Sequence, residues 1–573
     1  MDLTPEAVVQ VVHPTAAFAE YTPPQPASAT SQAGHLGDDW ACSELNPKNR
    51  IDSLTPVRNP KWRIDGGCGM GTQFYTIPLF ISPCIPLRID TFIPKPSQSP
   101  SDLQRLLDLG ATFSFKDSRI VSKGVSQHIL RALEHYTATH PEFESEYKTL
   151  PFGSQILFDN LDRDVRRCRI KLVRCTQLEH ELLSLKSLAK LVPEIPLAAW
   201  PAQIDVTSVN YQRQLHDSVC IVTANTQSGP RTMILKALTS EPKYIYHEIV
   251  SLLTLPSHPN IIRPLYLATK KCGFGGKTGV IGMLQEYHAA GTLRDILPRR
   301  ALQGTLHLKD QLRWAKQLTS ALVHIRSQGR HYSDLRLDNI LLSNSDDLVL
   351  VDFEQRGVWC SFSAPEIAFL DYIVTMATSD DGEMPAEKRE EYRGKLERYV
   401  PGWNDTRMKS YAPSTDGYAL GWFGLSADEK ESAMVYMLGR VLWCIFEGVS
   451  MPERAVWRTC RLESDLTFPD YSHAPREMRK LIDACTVGRT GRGDEREPKI
   501  VREGSRVVLR DGDGTETPEM VQKAAKVWWK AELEVAEKFL EERYERKKAG
   551  DFRVSFERPK LEEVLRGLEC WKL

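Results

Sequence analysis

The stretch "GRHYSDLRLDNILLSNSDDLVLVDFEQRG", residues 329–357, decides how this 573-residue chain is read. Two short polar clusters, "YSDLRLDN" and "VDFE", flank an apolar run, so Asp334, Asn339 and Asp352 stand around "ILL" and "LVLV". Charge beside apolar segments is costly unless a cation compensates it. Either these groups hold metal ions and a substrate, or they are the remains of such a site.

The segments around it have a clear order. Just upstream, "HLKDQLRWAKQLTSALVHI" places Leu308, Leu312, Ala315, Leu318, Leu322 and Ile325 on one helical face. Further back, "SVCIVTAN" and "RTMILKAL" read as strands joined by the turn "TQSGP". "PKYIYHEIVSLLTL" follows, with Ile245, Ile249, Leu252 and Leu253 at helical spacing, and then the strand "TGVIGMLQEY". Strands, helix, strands, then mostly helices predict an α+β, bilobal architecture. A small β-rich lobe covers 206–287 and a larger helical lobe covers 288–573. Within the latter, 371–430 (polar and irregular) and 488–556 read as insertions. The second insertion holds a hairpin and a long helix with Thr517 as N-cap and Pro518 first. Met520, Ala524, Trp528, Ala531, Val535 and Phe539 form its apolar stripe, expected to pack on its own domain.

On the N-terminal side, residues 1–60 are rich in Pro, Ala, Ser and Thr without a period, and a mobile tail is expected. Residues 61–200 mix β-like runs ("FYTIPLFI") with helix-like ones ("SQHILRALEHY") and read as an accessory α/β domain without an assigned role. "GGCGMG" (66–71) resembles a phosphate loop, but no helix pattern follows it, so it reads as a turn.

Composition narrows the class. At 41% hydrophobic and 26% charged, with net charge -1, the chain is a soluble globular protein with no electrostatic reason to bind nucleic acid or a membrane. Its twelve cysteines include no C-x-x-C pair. Reduced thiols in the cytoplasm or nucleus are therefore expected. The N-terminus starts acidic and lacks a long apolar core, so no signal peptide is expected, and no apolar run reaches membrane-spanning length.

From about residue 206 onward the motifs, in order, resemble the eukaryotic protein kinase family. "VDFEQRG", a short segment, "APE" and a long C-terminal insert resemble divergent kinase-like proteins of filamentous fungi. The resemblance implies ATP and magnesium as cofactors and a protein substrate or partner. It makes Asp334 the catalytic aspartate that orients the substrate hydroxyl, with Asn339 and Asp352 as magnesium ligands. Arg336 stands where many kinases have lysine and would neutralise the transferred phosphoryl group. Lys236 would contact the phosphates and Glu248 would pair with it. "MLQEYHAAGTLRDIL" resembles the hinge, with backbone near Glu286 and His288 facing adenine and Gln285 near the gatekeeper position. "SAPEI" implies that Glu366 pairs with a buried arginine, Arg558 in "ERPKLEEVLRGL". "MVYMLGRVLWCIFEG" resembles the helix that organises the large lobe.

Four departures bear on activity. No glycine lies between Tyr211 and Ser228, where side chains near His216 and Asp217 would crowd the phosphates. Glu354 replaces the glycine after "DF" and would restrict the switching flip of that segment. Ser333 replaces the arginine before the catalytic Asp, and Asp352 to Glu366 spans only fourteen positions. Control by activation-loop phosphorylation is therefore not expected. Met434 replaces an acidic residue, so a hydrogen bond bracing the catalytic loop is expected to be lost. The five chemical groups favour a protein kinase acting on a protein hydroxyl, of the serine/threonine kind. The departures favour a pseudokinase scaffold, and a metabolite kinase is the more distant alternative.

Overall fold

The computed structural model describes residues 11–19, 60–68, 73–81, 90–92, 124–160, 162, 164–216, 218–238, 241–273, 275–357, 361–379, 384–403, 417–453, 466–491, 499–503, 506–513 and 515–571. Two sheets come first. Strands β1 (Trp62–Cys68), β2 (Gln73–Pro78), β3 (Asp90–Phe92), β4 (Gln155–Asn160) and β5 (Arg169–Val173) form one in that spatial order, antiparallel except for β3 with β4. Helix α1 (Gly124–Thr139) packs on β1.

The second sheet has the order β6-β10-β11-β9-β8-β7. Its strands are β6 (Gln203–Asp205), β7 (Val209–His216), β8 (Val219–Thr226), β9 (Gly229–Ala237), β10 (Tyr266–Lys271) and β11 (Thr278–Glu286). The expected turn joins β8 to β9, with Thr226 paired to Gly229, whose φ of 102 suits glycine. Helix α2 (Pro242–Thr254) follows and buries Ile245, Ile249 and Leu252 as its spacing predicts. At Gly282 on β11 an added Cβ would lie 2.1 Å from the Lys236 carbonyl oxygen. Only glycine lets the two strands approach at the residue that bears Lys236.

The larger lobe holds α3 (Leu293–Leu302), α4 (Leu308–Ser327), the hairpin β12 (Ile340–Leu342) and β13 (Leu348–Leu350), α5 (Pro365–Thr378), α6 (Ala386–Tyr399), α7 (Ala427–Glu447) and α8 (Arg476–Cys485). A hairpin β14 (Ile500–Glu503) and β15 (Arg506–Leu509) precedes α9 (Pro518–Lys548) and α10 (Leu561–Glu569). The bilobal α+β architecture matches the expectation. Helix α7 starts with a capping box between Ser426 and Glu429 and ends at Gly448, whose φ is 74. Met434 to Phe446 are buried on every side, as a helix at the centre of a core must be.

Three features differ from the sequence reading. One apolar core runs without a break from Trp62, Phe74 and Phe158 through Met233 and Leu284 to Trp314 and Trp443. Residues 61–200 therefore share the core of the small lobe, and polar ties reinforce the union. Asp65 accepts from the Tyr211 hydroxyl at 2.6 Å and the Gln214 N–H at 2.8 Å. Buried Glu179 accepts from Lys270 at 2.6 Å and the Gly273 N–H at 3.0 Å.

Second, a separate core joins residues 11–19 to both insertions through Val11, Ala16, Ile373, Leu396, Val521 and Trp529. Trp529 Nε1 donates to the Val11 carbonyl at 3.1 Å and Lys526 to that of Ala19 at 2.9 Å. This corrects the tail reading for 11–19, whose short apolar cluster gains a partner more than 500 positions away. It also corrects the irregular reading of 371–430, where α5 continues to Thr378 and α6 is helical although so charged that only Tyr392, Leu396 and Tyr399 are buried.

Third, the stripe on α9 is displaced by one position. Val521, Ala525, Trp529, Leu533, Ala536 and Leu540 face inward, while Met520 is 51% exposed. Two adjacent apolar lines share one period, and the tertiary partner chooses between them. Of "GGCGMG", Gly66 to Cys68 lie in strand β1 and the remainder lies outside the described residues.

Glu429 ties α9 to the start of α7. Its carboxylate accepts from Arg543 Nε at 2.7 Å and Lys547 Nζ at 2.8 Å. Burial opposes the charge, but the Arg543 bonds prevail and hold the carboxyl at about 2. A depressed folded-state value contributes stability above the ordinary range near 4.5, lost as pH falls towards about 2. Glu429→Gln is expected to cost about 3 kcal/mol at pH 7, with a gap that shrinks near pH 3. Urea unfolding at both pH values checks this, and an equal gap at both contradicts it.

Candidate active site

"ILL" and "LVL" are the two strands of one hairpin, β12 paired with β13. It returns the chain so that the Val351 N–H donates to the Asn339 carbonyl at 3.0 Å, bringing Asn339 and Asp352 together. The turn is held by Arg300, which bonds Asp346 at 2.5 and 3.0 Å, and by Trp314 Nε1, which donates to the Asp346 carbonyl at 2.9 Å.

Opposite this hairpin, Lys236 near the end of β9 is 8% exposed in its side chain. Its Nζ lies 2.5 Å from Glu248 on α2, 2.7 Å from Asp352 and 3.3 Å from Glu354. Burial opposes the lysine charge, but Asp352, Glu248 and Glu354 outweigh it and hold Lys236 protonated well above its ordinary range. Glu248 is pushed up to about 7, chiefly by burial, with Lys236 opposing. Burial would also raise Asp352, but Lys236 more than offsets it and keeps that carboxyl below the usual range. The Phe353 N–H donates to Glu248 at 3.2 Å, so helix α2 and the segment after β13 are locked together.

Residues of "YSDLRLDN" form a second, adjoining cluster. Asn339 Nδ2 donates to the Asp334 carbonyl at 2.9 Å and to its carboxylate at 3.0 Å. Arg336 Nε lies 3.3 Å from the other Asp334 oxygen. Burial pushes the Asp334 carboxyl up to about 6, with Arg336 opposing and Asp352 adding. The Tyr332 hydroxyl donates to the Val351 and Asp352 carbonyls, joining the two clusters. Tyr332 carries no motif signal in this role and was missed from sequence.

Glu286 ends β11, and its exposed carboxylate lies 3.6 Å from Arg231. His288 follows on the chain between the lobes, buried, with burial holding its ring neutral against the pull of Glu286. Buried Gln285 immediately precedes Glu286. The structure thus brings Lys236, Glu248 and Asp352 into direct contact, places Asp334, Arg336 and Asn339 beside them, and sets Glu286 and His288 on the interlobe segment.

The departures also resolve into contacts. Glu354 is held between Lys236 and Arg356, the latter at 2.6 Å, and the Arg356 guanidinium lies 3.9 Å above the Tyr244 ring of α2. Met434 does not leave the catalytic loop unbraced, which corrects that expectation: its sulfur accepts from the Tyr332 N–H at 3.2 Å. A thioether is a weaker acceptor than a carboxylate. The β7–β8 hairpin closes with His216 opposite Val219, while Asp217 and the His216 side chain, expected to crowd the phosphates, lie outside the described residues. Glu366 at the start of α5 accepts from Arg558 at 2.6 and 3.1 Å, the expected partner.

Residues 230–364 match the family model for the protein kinase domain. Three curated kinases show local similarity. The Saccharomyces cerevisiae protein "Fatty acyl-CoA synthetase and RNA processing-associated kinase 1" is 31% identical over 117 residues, 20% of this chain and 12% of its own. The Caenorhabditis elegans serine/threonine-protein kinase kin-29 is 22% identical over 156 residues, 25% of this chain and 18% of its own. CBL-interacting protein kinase 31 of Oryza sativa is 31% identical over 101 residues, 18% of this chain and 20% of its own. The match thus spans at most a fifth of these relatives. No helix among the described residues is long and apolar enough to cross a membrane.

Proposed function

We propose, from the premise that the chain carries a divergent eukaryotic protein kinase domain, that it transfers the ATP γ-phosphate to a serine or threonine hydroxyl of a protein. The observation that carries this reading is the contact of Lys236 with Glu248 at 2.5 Å and with Asp352 at 2.7 Å. Three elements distant in sequence converge there on one buried cation, the arrangement needed to position a triphosphate. Phosphoryl transfer depends mainly on such positioning and on charge stabilisation.

Asp334 orients the acceptor hydroxyl and takes its proton. Its carboxyl, pushed up to about 6, stays ionised at neutral pH yet basic enough for the task. Arg336 sets a positive charge beside it. The oxygen donors also suit magnesium: Asn339 Nδ2 is committed to Asp334, which leaves its side-chain oxygen on the same hairpin as the Asp352 carboxylate. Bound magnesium would neutralise charge on the phosphates.

One observation favours the scaffold reading. Glu354, 3.3 Å from Lys236, competes as an anion with any phosphate there. Thermal unfolding with ATP and magnesium separates the two. Wild type and Asp334→Asn are expected to gain stability, about 2.7 kcal/mol at a hundredfold excess over Kd, and Asp352→Asn to gain none. No gain in wild type supports the scaffold.

A further inference from the structure

We propose that Gln355 is a positioning residue that fixes the loop carrying Asp334, so that the site is assembled without a phosphorylated residue. The inference rests on the kinase reading and deepens it by stating how the site is regulated.

Gln355 is 5% exposed, and its amide is spent on Ser333 and His331, just before Asp334. Oε1 accepts from the Ser333 N–H and the Ser333 hydroxyl, each at 2.7 Å. Nε2 donates to the His331 carbonyl at 2.6 Å. One neutral side chain thus satisfies three buried polar groups of the catalytic loop, each expensive to leave unpaired.

The backbone of Gln355 is held as firmly. Its φ is 57, a left-handed conformation that a non-glycine residue keeps only where its surroundings dictate it. Its carbonyl accepts from the Tyr418 N–H at 2.9 Å, and a Cβ added at Gly417 would lie 2.3 Å from the Gln355 Cβ. Tyr418 in turn meets Tyr244 and His247 of helix α2 edge-on, at 5.0 and 5.4 Å between ring centres. The chain from Glu354 to Arg356 is therefore gripped by the catalytic loop, by the segment around Tyr418 and by the helix that bears Glu248. An arginine at position 333 would call for an anionic partner, which a phosphate can supply on demand. Ser333 is neutral and short, and its partner is a permanent part of the chain.

The test is ATP turnover by the phosphatase-treated full chain with magnesium. Wild type is expected to keep its kcat after phosphatase treatment. Gln355→Ala is expected to lower kcat on the order of tenfold to a hundredfold while KM for ATP stays within about threefold, the signature of a misplaced group rather than lost binding. Ser333→Ala is expected to lower kcat less and to cost nothing further in the Gln355→Ala background, since both remove one contact. Gln355→Glu keeps the acceptor and loses the donor, and should fall between; it carries the test if Gln355→Ala does not fold. Full kcat in Gln355→Ala, additive losses with Ser333→Ala, equal losses in kcat and KM, or activity abolished by phosphatase would each overturn the role of Gln355. A wild type without turnover removes the kinase reading itself, and the inference with it.

Discussion

Lys236→Met is expected to destabilise the small lobe by about 3 kcal/mol or more, because it leaves buried carboxylates without their cation. Glu248 is fully buried, and Asp352 and Glu354 lie within 2.7 and 3.3 Å of the same Nζ. Methionine matches the lysine stem in size, so packing is kept and charge is what changes. The pH dependence follows from Glu248. Its folded-state value, about 7, already exceeds the ordinary 4.5, chiefly through burial, and losing Lys236 raises it further. A raised value contributes stability that is complete below about 4.5 and is lost as pH rises through the folded-state value. The deficit of Lys236→Met should therefore widen from pH 6 to pH 8. Urea unfolding at both pH values reads it, and adding Glu354→Gln should recover part of the loss. Unchanged stability at pH 8 would show that the three acids do not depend on Lys236.

Arg558→Leu is expected to have a comparable effect at the other end of the molecule. The Arg558 side chain is fully buried and bonds Glu366 twice, at 2.6 and 3.1 Å. It also donates to the Ser432 carbonyl at 2.9 Å and lies 4.8 Å above the Tyr436 ring. One guanidinium thus joins the start of α5, the body of α7 and the approach to α10. Its removal strands the Glu366 carboxylate, at a cost of about 3–5 kcal/mol. The double variant Glu366→Leu/Arg558→Leu should be more stable than the sum of the single losses predicts, since no charge is left unpaired. Additive losses in chemical denaturation would contradict a coupled pair.

Legibility divided along physical lines. Lys236, Glu248, Asp334, Asn339, Asp352, Glu366 and Arg558 could be placed because each stands in a short motif that resembles one of the protein kinase family. The hairpin β12–β13 is the simplest case, since two apolar runs and a polar turn dictate how Asn339 meets Asp352. Contacts without such a motif were not legible. Nothing in "EQRG" indicates that Gln355 closes on Ser333, and nothing in "VVHPTAAF" indicates that it docks on Trp529. The burial of α9 shows the limit of periodicity, because adjacent lines beginning at Met520 and Val521 carry equally apolar residues. Asp65 reads as a charged residue before two glycines, yet it binds strand β7 through Tyr211 and Gln214. In each of these cases the choice is made by a partner distant in sequence.

The central claim is that the acids around residues 329–357 serve phosphoryl transfer. The most direct measurement is incorporation of labelled γ-phosphate from ATP by the purified full chain with magnesium, wild type against Asp334→Ala. The account predicts incorporation by wild type and a loss on the order of 10²–10⁴-fold in the variant, with its ATP-induced thermal stabilisation retained. Equal incorporation by both proteins, or none by wild type, would contradict it.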